Sequence, residues 1–376
     1  MKIAIVGAGI AGLTTAIALK EKKIATTLFE AAPEIKPIGA GLGLGPNALK
    51  AFKYLGLKEE LLKSGQPIER FKILNSKGKT ITKPGEQGNE EGNFAIHRAR
   101  LQDLLLSKTD VASIHFNKKL SDVVNAPDSV SLKFSDGSAY SFDYVIFADG
   151  IHSLARQKLL PGSKPRYAGY TCWRAVIDNS KLNISESSET WGPCGRFGIV
   201  PLTNKQLYWF ACINTRQNNP TMASFQVKDL LVQFRGYHSQ IKKVLEATHD
   251  DDLIWSDIVD IKPIREFTFD RILLIGDAAH ATTPNMGQGA CQAIEDAVIL
   301  SKCLAENKNY ASAFRSFEQL RLKRVHWITE TSWKIGKIAQ LENKLLIGFR
   351  NTVFKLLPTS VGDRQLKKAH AFENLF

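Results

Sequence analysis

The chain of 376 residues is poor in cysteine: Cys172, Cys194, Cys212, Cys291 and Cys303 are odd in number, scattered, and include no C-x-x-C pair. This argues against a disulfide scaffold and against a thiolate zinc site, and it suits a reducing, cytoplasmic setting. Histidine is sparse as well, at 8 residues. No Ser-His-Asp order, paired-carboxylate arrangement or metal-ligand spacing emerges from the His, Asp and Glu residues, so no metal is expected and demanding chemistry must come from a bound group. Long uncharged runs are also missing. The one candidate, Ile3 to Leu19, imitates a secretory leader but contains Gly7, Gly9 and Gly12. No other run approaches the roughly 18 apolar residues of a membrane span, so integral membrane association is not expected.

What is present is ordinary globular material, 44% hydrophobic and 23% charged, enough for two packed units or one large discontinuous one. Disordered and fibrous classes are excluded. Lys and Arg total 50 against 37 Asp and Glu, a net charge of +13, which leaves nucleic acid, membrane surfaces and anionic small molecules open as partners.

The glycines near the start have a context. Ile3-Ala4-Ile5-Val6 reads as a buried strand, Gly7-x-Gly9-x-x-Gly12 follows it, Leu13 to Lys22 has helix-like composition, and a second strand Thr26 to Phe29 ends in Glu30. In this pattern Gly7 permits the tight turn, Gly9 lets backbone amides approach a pyrophosphate, and Gly12 lets helix and strand pack closely. The positive helix end then faces the phosphates. Glu30 would accept from ribose hydroxyls and repel a 2′-phosphate, favouring NAD or FAD over NADP at this site. Two further strand-turn-helix segments carry an aspartate: Tyr144 to Arg156, with Asp149 and Gly150, and Arg271 to His280, with Gly276 and Asp277, which continues through Thr283-Pro284-Asn285-Met286-Gly287-Gln288-Gly289-Ala290 into a helix. Asp277 is typed for ribityl hydroxyls, and the amides of Gly287 to Ala290 for the pyrimidine edge of a flavin.

With these three segments in this order, the chain resembles the FAD-dependent aromatic hydroxylases, single-component flavoprotein monooxygenases such as p-hydroxybenzoate, salicylate and urate hydroxylases, zeaxanthin epoxidase and the tetracycline-inactivating monooxygenases. The run Thr283 to Gly289 followed by Glu295-Asp296-Ala297 resembles the salicylate hydroxylase and zeaxanthin epoxidase branch in particular. The resemblance implies tight, non-covalent FAD, with Glu30 on the adenosine ribose, Arg98 on the FAD backbone, Asp277 at the ribityl and pyrophosphate region, and Pro284 beside the isoalloxazine. It gives Asp149, Gly150 and Arg156 roles toward both FAD and NAD(P)H. The glycine-dense loop Ile38 to Asn47, with Gly41, implies close backbone approach to the flavin. Many members have Arg after the ribose-binding Glu; this chain has Ala31.

The implied fold is α/β, a Rossmann-like FAD-binding domain with an inserted antiparallel β-sheet substrate domain and C-terminal helices. The expected division is 1–65, 96–162 and 269–340 for FAD, 66–95 and 163–268 for substrate, and 341–376 as a C-terminal helical segment. In the insertion, Tyr167 to Ile177 and Gly198 to Ile213 read as strands, with turns at Gly192-Pro193 and Thr203-Asn204. Because strand side chains alternate, only one of Trp173 and Arg174 faces inward; if it is Arg174, an anionic or carbonyl-bearing substrate is its natural partner. Trp173, Tyr208 and Phe210 read as core, and His280 as packing. Phe314 to Leu357 reads as helical and basic, packed on the domain with a solvated face, with a membrane-surface helix as the alternative.

The implied activity is an NAD(P)H-consuming monooxygenase that inserts one atom of O2, through a flavin C4a-hydroperoxide, into an aromatic or polycyclic or olefinic small molecule, in a monomer or dimer without nucleic acid. A flavoprotein dehydrogenase, reductase or halogenase is the first rival. A basic nucleic-acid- or membrane-binding protein is the second.

Overall fold

The computed structural model describes residues 1–35, 39–82 and 92–372. Ile38, part of the glycine-dense loop, lies outside the described residues. Two six-stranded sheets organise the chain. The first is ordered Thr268–Phe269, Ile272–Leu274, Tyr144–Phe147, Ile3–Val6, Thr26–Phe29, Ile114–His115, parallel except for its first strand. Ile3–Val6, Tyr144–Phe147 and Ile272–Leu274 are buried along their whole length, the pattern of a sheet covered on both faces. Helices Ile10–Glu21 and Gly289–Glu306 pack on it and on one another.

The second sheet is ordered Ile254–Ile261, Pro165–Asp178, Gln206–Asn214, Gly195–Leu202, Ser187–Gly192, Phe71–Asn75, antiparallel except for the last pair. Alternation splits its side chains. Trp173, Ala175, Ile177, Phe197, Ile199, Leu207, Trp209 and Ala211 form one buried cluster with Leu230, Phe234, Ile241 and Val244 from the helices Val227–Gln233 and Ser239–Glu246. The opposite face carries Tyr170, Cys172, Phe210 and Cys212, which pack against Trp333 of the long helix Tyr310–Ala339. Trp173 is thus core, whereas Tyr208 and Phe210, expected as core with it, share the other face with Arg174 through the pairings Val176 to Tyr208 and Arg174 to Phe210.

A three-stranded sheet, Gly41–Leu44, Asn93–His97 and Gln66–Ile68, bridges the two. The stretch 66–95 is therefore shared: Gln66–Ile68 pairs here, and Phe71–Asn75 pairs with Ser187–Gly192. A small antiparallel sheet of Leu120–Asn125, Val130–Phe134 and Ala139–Phe142 packs on the outer end of the first. The long helix ends at Ala339 and two more follow, Lys344–Leu356 and Thr359–His370.

Candidate active site

Four adjacent parallel strands each deliver one motif at the carboxyl edge of the first sheet: Gly276-Asp277, Asp149-Gly150, Gly7 to Gly12, and Glu30. That edge is where open α/β sheets bind ligands. The motifs touch. A Cβ on Gly7, whose φ is +105°, would lie 2.4 Å from the Ala148 carbonyl, and one on Gly12 would lie 1.8 Å from the Gly7 carbonyl. Only glycine permits this packing of turn, helix and strand. A Glu30 carboxylate oxygen accepts from the Ala8 amide at 2.7 Å and its other oxygen from the Ala32 amide at 2.9 Å, fixing the strand end to the glycine turn. Arg156, fully buried, donates to the Ala278 carbonyl at 3.0 Å and so ties the Asp149 segment to the Asp277 segment.

The edge fits a bound dinucleotide. A Cβ on Gly9 would meet nothing within 4 Å, so the turn has open space beside it at the helix start. The helices Ile10–Glu21 and Gly289–Glu306 have no side-chain cap and no acid in the first turn, leaving their positive ends for an external anion. The Asp149 Oδ1 atom is buried without a hydrogen-bond partner, and burial, the largest cause, pushes that carboxyl up from its ordinary range. Such a group is costly alone and suited to a hydroxyl donor.

The loop from 284 to 290 lies between this edge and the second sheet. It starts with a short turn at Pro284–Met286, passes Gly287 in the left-handed region, and enters the helix at Gly289 and Ala290. Asn47, at the start of the helix Pro46–Tyr54, donates to Gln288 at 3.0 Å and to Glu295 at 2.5 Å, so Gly41–Leu44 is drawn toward the same loop. Arg98, at the start of the helix Arg98–Lys108, borders Gly39, and its charge acts on Asp277.

Behind the loop stands a buried network. Asp296 accepts from His280 at 2.6 Å, from the Gly276 amide at 2.8 Å and from Arg321 Nε at 2.7 Å. Arg321 also pairs with Glu295, which Arg324 holds from the other side at 2.7 Å. His280, expected as packing, is buried and bonded to Asp296, which also holds the Gly276 amide of the turn that carries Asp277.

The second sheet meets the loop through residues the motifs did not mark. Arg196, 2% exposed, donates to Asn285 Oδ1 at 2.9 Å, to Gln340 at 3.0 Å and to Glu189 at 3.1 Å. Tyr170 donates to the same Asn285 oxygen at 3.1 Å. The Tyr208 ring lies against Gly41, where a Cβ would fall 2.6 Å away. Burial pushes the phenols of Tyr170 and Tyr208 above their ordinary range, so both are hydroxyl groups at neutral pH. Arg174 faces this side and donates to Ser256 Oγ. The one signal for Arg196 in the sequence is a lone cation inside the apolar strand Gly195–Leu202.

Comparison with known proteins places this geometry. A family model described as an FAD binding domain matches residues 1–331. The chain is similar to an aurachin C monooxygenase/isomerase of Stigmatella aurantiaca, at 35% identity over 100% of this chain and 99% of that one. It is also similar to a 2-heptyl-3-hydroxy-4(1H)-quinolone synthase of Pseudomonas aeruginosa, at 30% identity over 96% and 95%. Among solved structures, Klebsiella pneumoniae HpxO complexed with FAD and uric acid superposes with a TM-score of 0.90 and 27% identity, covering 100% of this chain and 98% of that one. The match over most of the chain, together with a cofactor edge that fits, makes the chain a member of the FAD-dependent aromatic hydroxylase family, a monooxygenase whose cofactor is FAD.

Proposed function

We propose that this monooxygenase consumes NAD(P)H and O2 in the cytoplasm, as a monomer or dimer, to hydroxylate a nitrogen heteroaromatic that carries a ring carbonyl. The observation that carries the reading is the docking of an aromatic sheet face onto the cofactor loop through Arg196, Tyr170 and Asn285. The substrate class draws support from the quinolone named for one relative and the uric acid in the HpxO structure.

Bound FAD would supply the redox chemistry, with two electrons arriving as hydride from the nicotinamide, one oxygen atom of O2 going to the ring and the other leaving as water. The protein does the rest. Glu30 receives the ribose hydroxyls, the amides from Gly9 into the start of the helix Ile10–Glu21 receive the pyrophosphate past the turn at Gly7, and Asp277, with Arg98 near it, receives the ribityl and phosphate region. Asp149 and Gly150 complete that edge, and the amides of Gly289 and Ala290, which follow the turn at Gly287, stabilise negative charge on the ring edge beside Pro284. Gly41 admits the ring system closely, with Tyr208 beyond it. Phe210, Tyr208 and Cys172 present a surface that excludes water from the reacting centre, and Arg174 orients the ring carbonyl of the substrate.

The test is turnover under labelled O2 with NADH or NADPH and a panel of a 2-alkyl-4-quinolone, urate and salicylate. The expected result is substrate-stimulated oxidation of the nicotinamide, with one labelled oxygen in a quinolone-type or purine-type product. Purified protein without flavin absorbance, or oxidation that never yields labelled product, overturns the reading.

A further inference from the structure

Among the described residues, sixteen large apolar side chains are exposed, and seven of them fall between Leu345 and Leu366. Leu345 is 84% exposed, Phe349 72% and Leu356 77%. At about 100° per residue these three fall within roughly 40° on the helix Lys344–Leu356, one continuous stripe. Leu346 beside it, and Leu357 and Val361 across the turn into Thr359–His370, are exposed as well. The opposite side of the helix is fastened down. Arg350, 4% exposed, donates to the Ile338 and Ala339 carbonyls and lies over the Trp191 ring, and Phe354 packs on the same ring. The end of the second helix is held by Arg324, which donates to the Lys368 and Ala369 carbonyls. The stripe is therefore presented by an anchored element.

Charge identifies the occupant. From Lys344 to Phe372 the chain has six cations, Lys344, Arg350, Lys355, Arg364, Lys367 and Lys368, and a single acid, Asp363. All of these cations but Arg350 are exposed. By helical spacing Lys344 and Lys355 run along one flank of the stripe, about a quarter turn from it. Exposed Leu and Phe on one face with Lys and Arg beside them is the pattern of a helix lying in the plane of a lipid interface. No helix among the described residues is long and apolar enough to cross a membrane, which agrees with lying on one. A second copy of the chain is the competing occupant, but it would bring the same five exposed cations face to face.

We propose that the helices Lys344–Leu356 and Thr359–His370 form a docking surface for an anionic lipid bilayer, with Leu345, Phe349 and Leu356 inserted among the acyl chains and Lys344, Lys355, Arg364 and Lys367 at the headgroups. Gln340, which reaches buried Arg196, sits four residues before this surface, so the enzyme would work with one end of its site helix at the bilayer. The inference stands on the exposed side chains and does not depend on the substrate assigned above.

The test is co-sedimentation of the full-length holoenzyme with phosphatidylcholine vesicles and with mixed phosphatidylcholine and phosphatidylglycerol vesicles. Light scattering across protein concentration runs in parallel. The expected result is binding to the phosphatidylglycerol vesicles that weakens as salt is raised. Phe349→Glu with Leu356→Glu should lower the partition coefficient at least about tenfold, and each of Lys355→Gln and Lys367→Gln about fivefold. The Phe349→Glu, Leu356→Glu variant should keep its flavin absorbance and its turnover of a soluble substrate, because both side chains are exposed on the far side of their helix from its packing contacts. Holoenzyme that stays in the supernatant at low salt overturns the proposal. So does a Phe349→Glu, Leu356→Glu variant that binds like the wild type, or one whose only change is conversion of a dimer to a monomer, which would assign the face to a second copy.

Discussion

Arg321→Met tests whether the ion network behind the cofactor loop holds that loop in place. Arg321 is wholly buried and donates to Asp296 at 2.7 Å, to the Gln292 side chain at 2.7 Å and to Glu295. Methionine keeps much of the volume and removes the charge. Glu295 retains Arg324 and Asn47, so the carboxylate most exposed to the loss is Asp296, left with His280 and the Gly276 amide. Breaking one buried pair costs about 3–5 kcal/mol, and the surviving partners place this case near the low end, about 3 kcal/mol. Burial by itself would raise the Asp296 carboxyl, but its interactions with His280 and Arg321 and the Gly276 amide outweigh it and hold the group below its ordinary range. A depressed carboxyl stabilises the fold fully above its unfolded value of about 3.9, and that contribution is lost as pH falls through the lower folded value. The variant's deficit should therefore be complete at neutral pH and shrink below about pH 4. Urea titration of the FAD-free protein, repeated with FAD and repeated in acid, reads all of this. Adding Asp296→Asn to the variant should restore part of the loss. A deficit under about 1 kcal/mol at neutral pH, or one unchanged in acid, refutes the assignment.

Four further outcomes follow from the cofactor edge and the sheet above it. Gly12→Ala drives a Cβ into the Gly7 carbonyl and should yield protein that is destabilised by about 1–3 kcal/mol or more and lacks flavin absorbance. Glu30→Gln keeps the shape but weakens charge-assisted hydrogen bonds, and FAD titration should show affinity down by about tenfold or more. Arg174→Met should raise KM about tenfold or more for a carbonyl-bearing substrate while FAD binding is unchanged; an equal loss on every substrate would argue against an orienting role. Asp149→Asn relieves a carboxylate that burial disfavours. Because that carboxyl is raised, its cost is felt at neutral pH and fades in acid, so the FAD-free variant should melt higher than the wild type at neutral pH while holding FAD less tightly.

The central strands Ile3–Val6, Tyr144–Phe147 and Ile272–Leu274 of the first sheet were legible because a strand buried on both faces needs a continuous apolar run and the turns after them need glycine, whereas the two-residue edge strands Ile114–His115 and Thr268–Phe269 are too short to leave such a pattern. Ile3–Val6 and Tyr144–Phe147 are short runs of that kind, each followed directly by such a turn. The inserted sheet was legible as antiparallel strands, yet which way its side chains point was not. Trp173 and Tyr208 look alike as aromatics in apolar runs, and only the register of Pro165–Asp178 on Gln206–Asn214 sends one to the helix-covered core and the other to Gly41. Alternation constrains neighbours within a strand, and it is silent on which face is which until a partner strand and a covering layer are known.

The same limit explains why the contacts joining the two sheets escaped motif reading. Arg196, Tyr170, Asn285 and Gln340 come from four separate stretches and converge on one hydrogen-bond cluster, with no spacing in the chain to announce it. Local patterns mark residues that bind a ligand through backbone geometry, because glycine turns and helix starts are made by neighbours in sequence. Residues that work by reaching across an interface leave only an energetic trace, a charge where burial forbids an unpaired one. Arg196 in Gly195–Leu202 and Arg321 in Tyr310–Ala339 are both of this kind, fully buried cations whose partners lie on other elements. A lone arginine inside an apolar strand is therefore worth reading as a statement that an acceptor cluster exists elsewhere, and here that cluster lies where the second sheet meets the loop from 284 to 290.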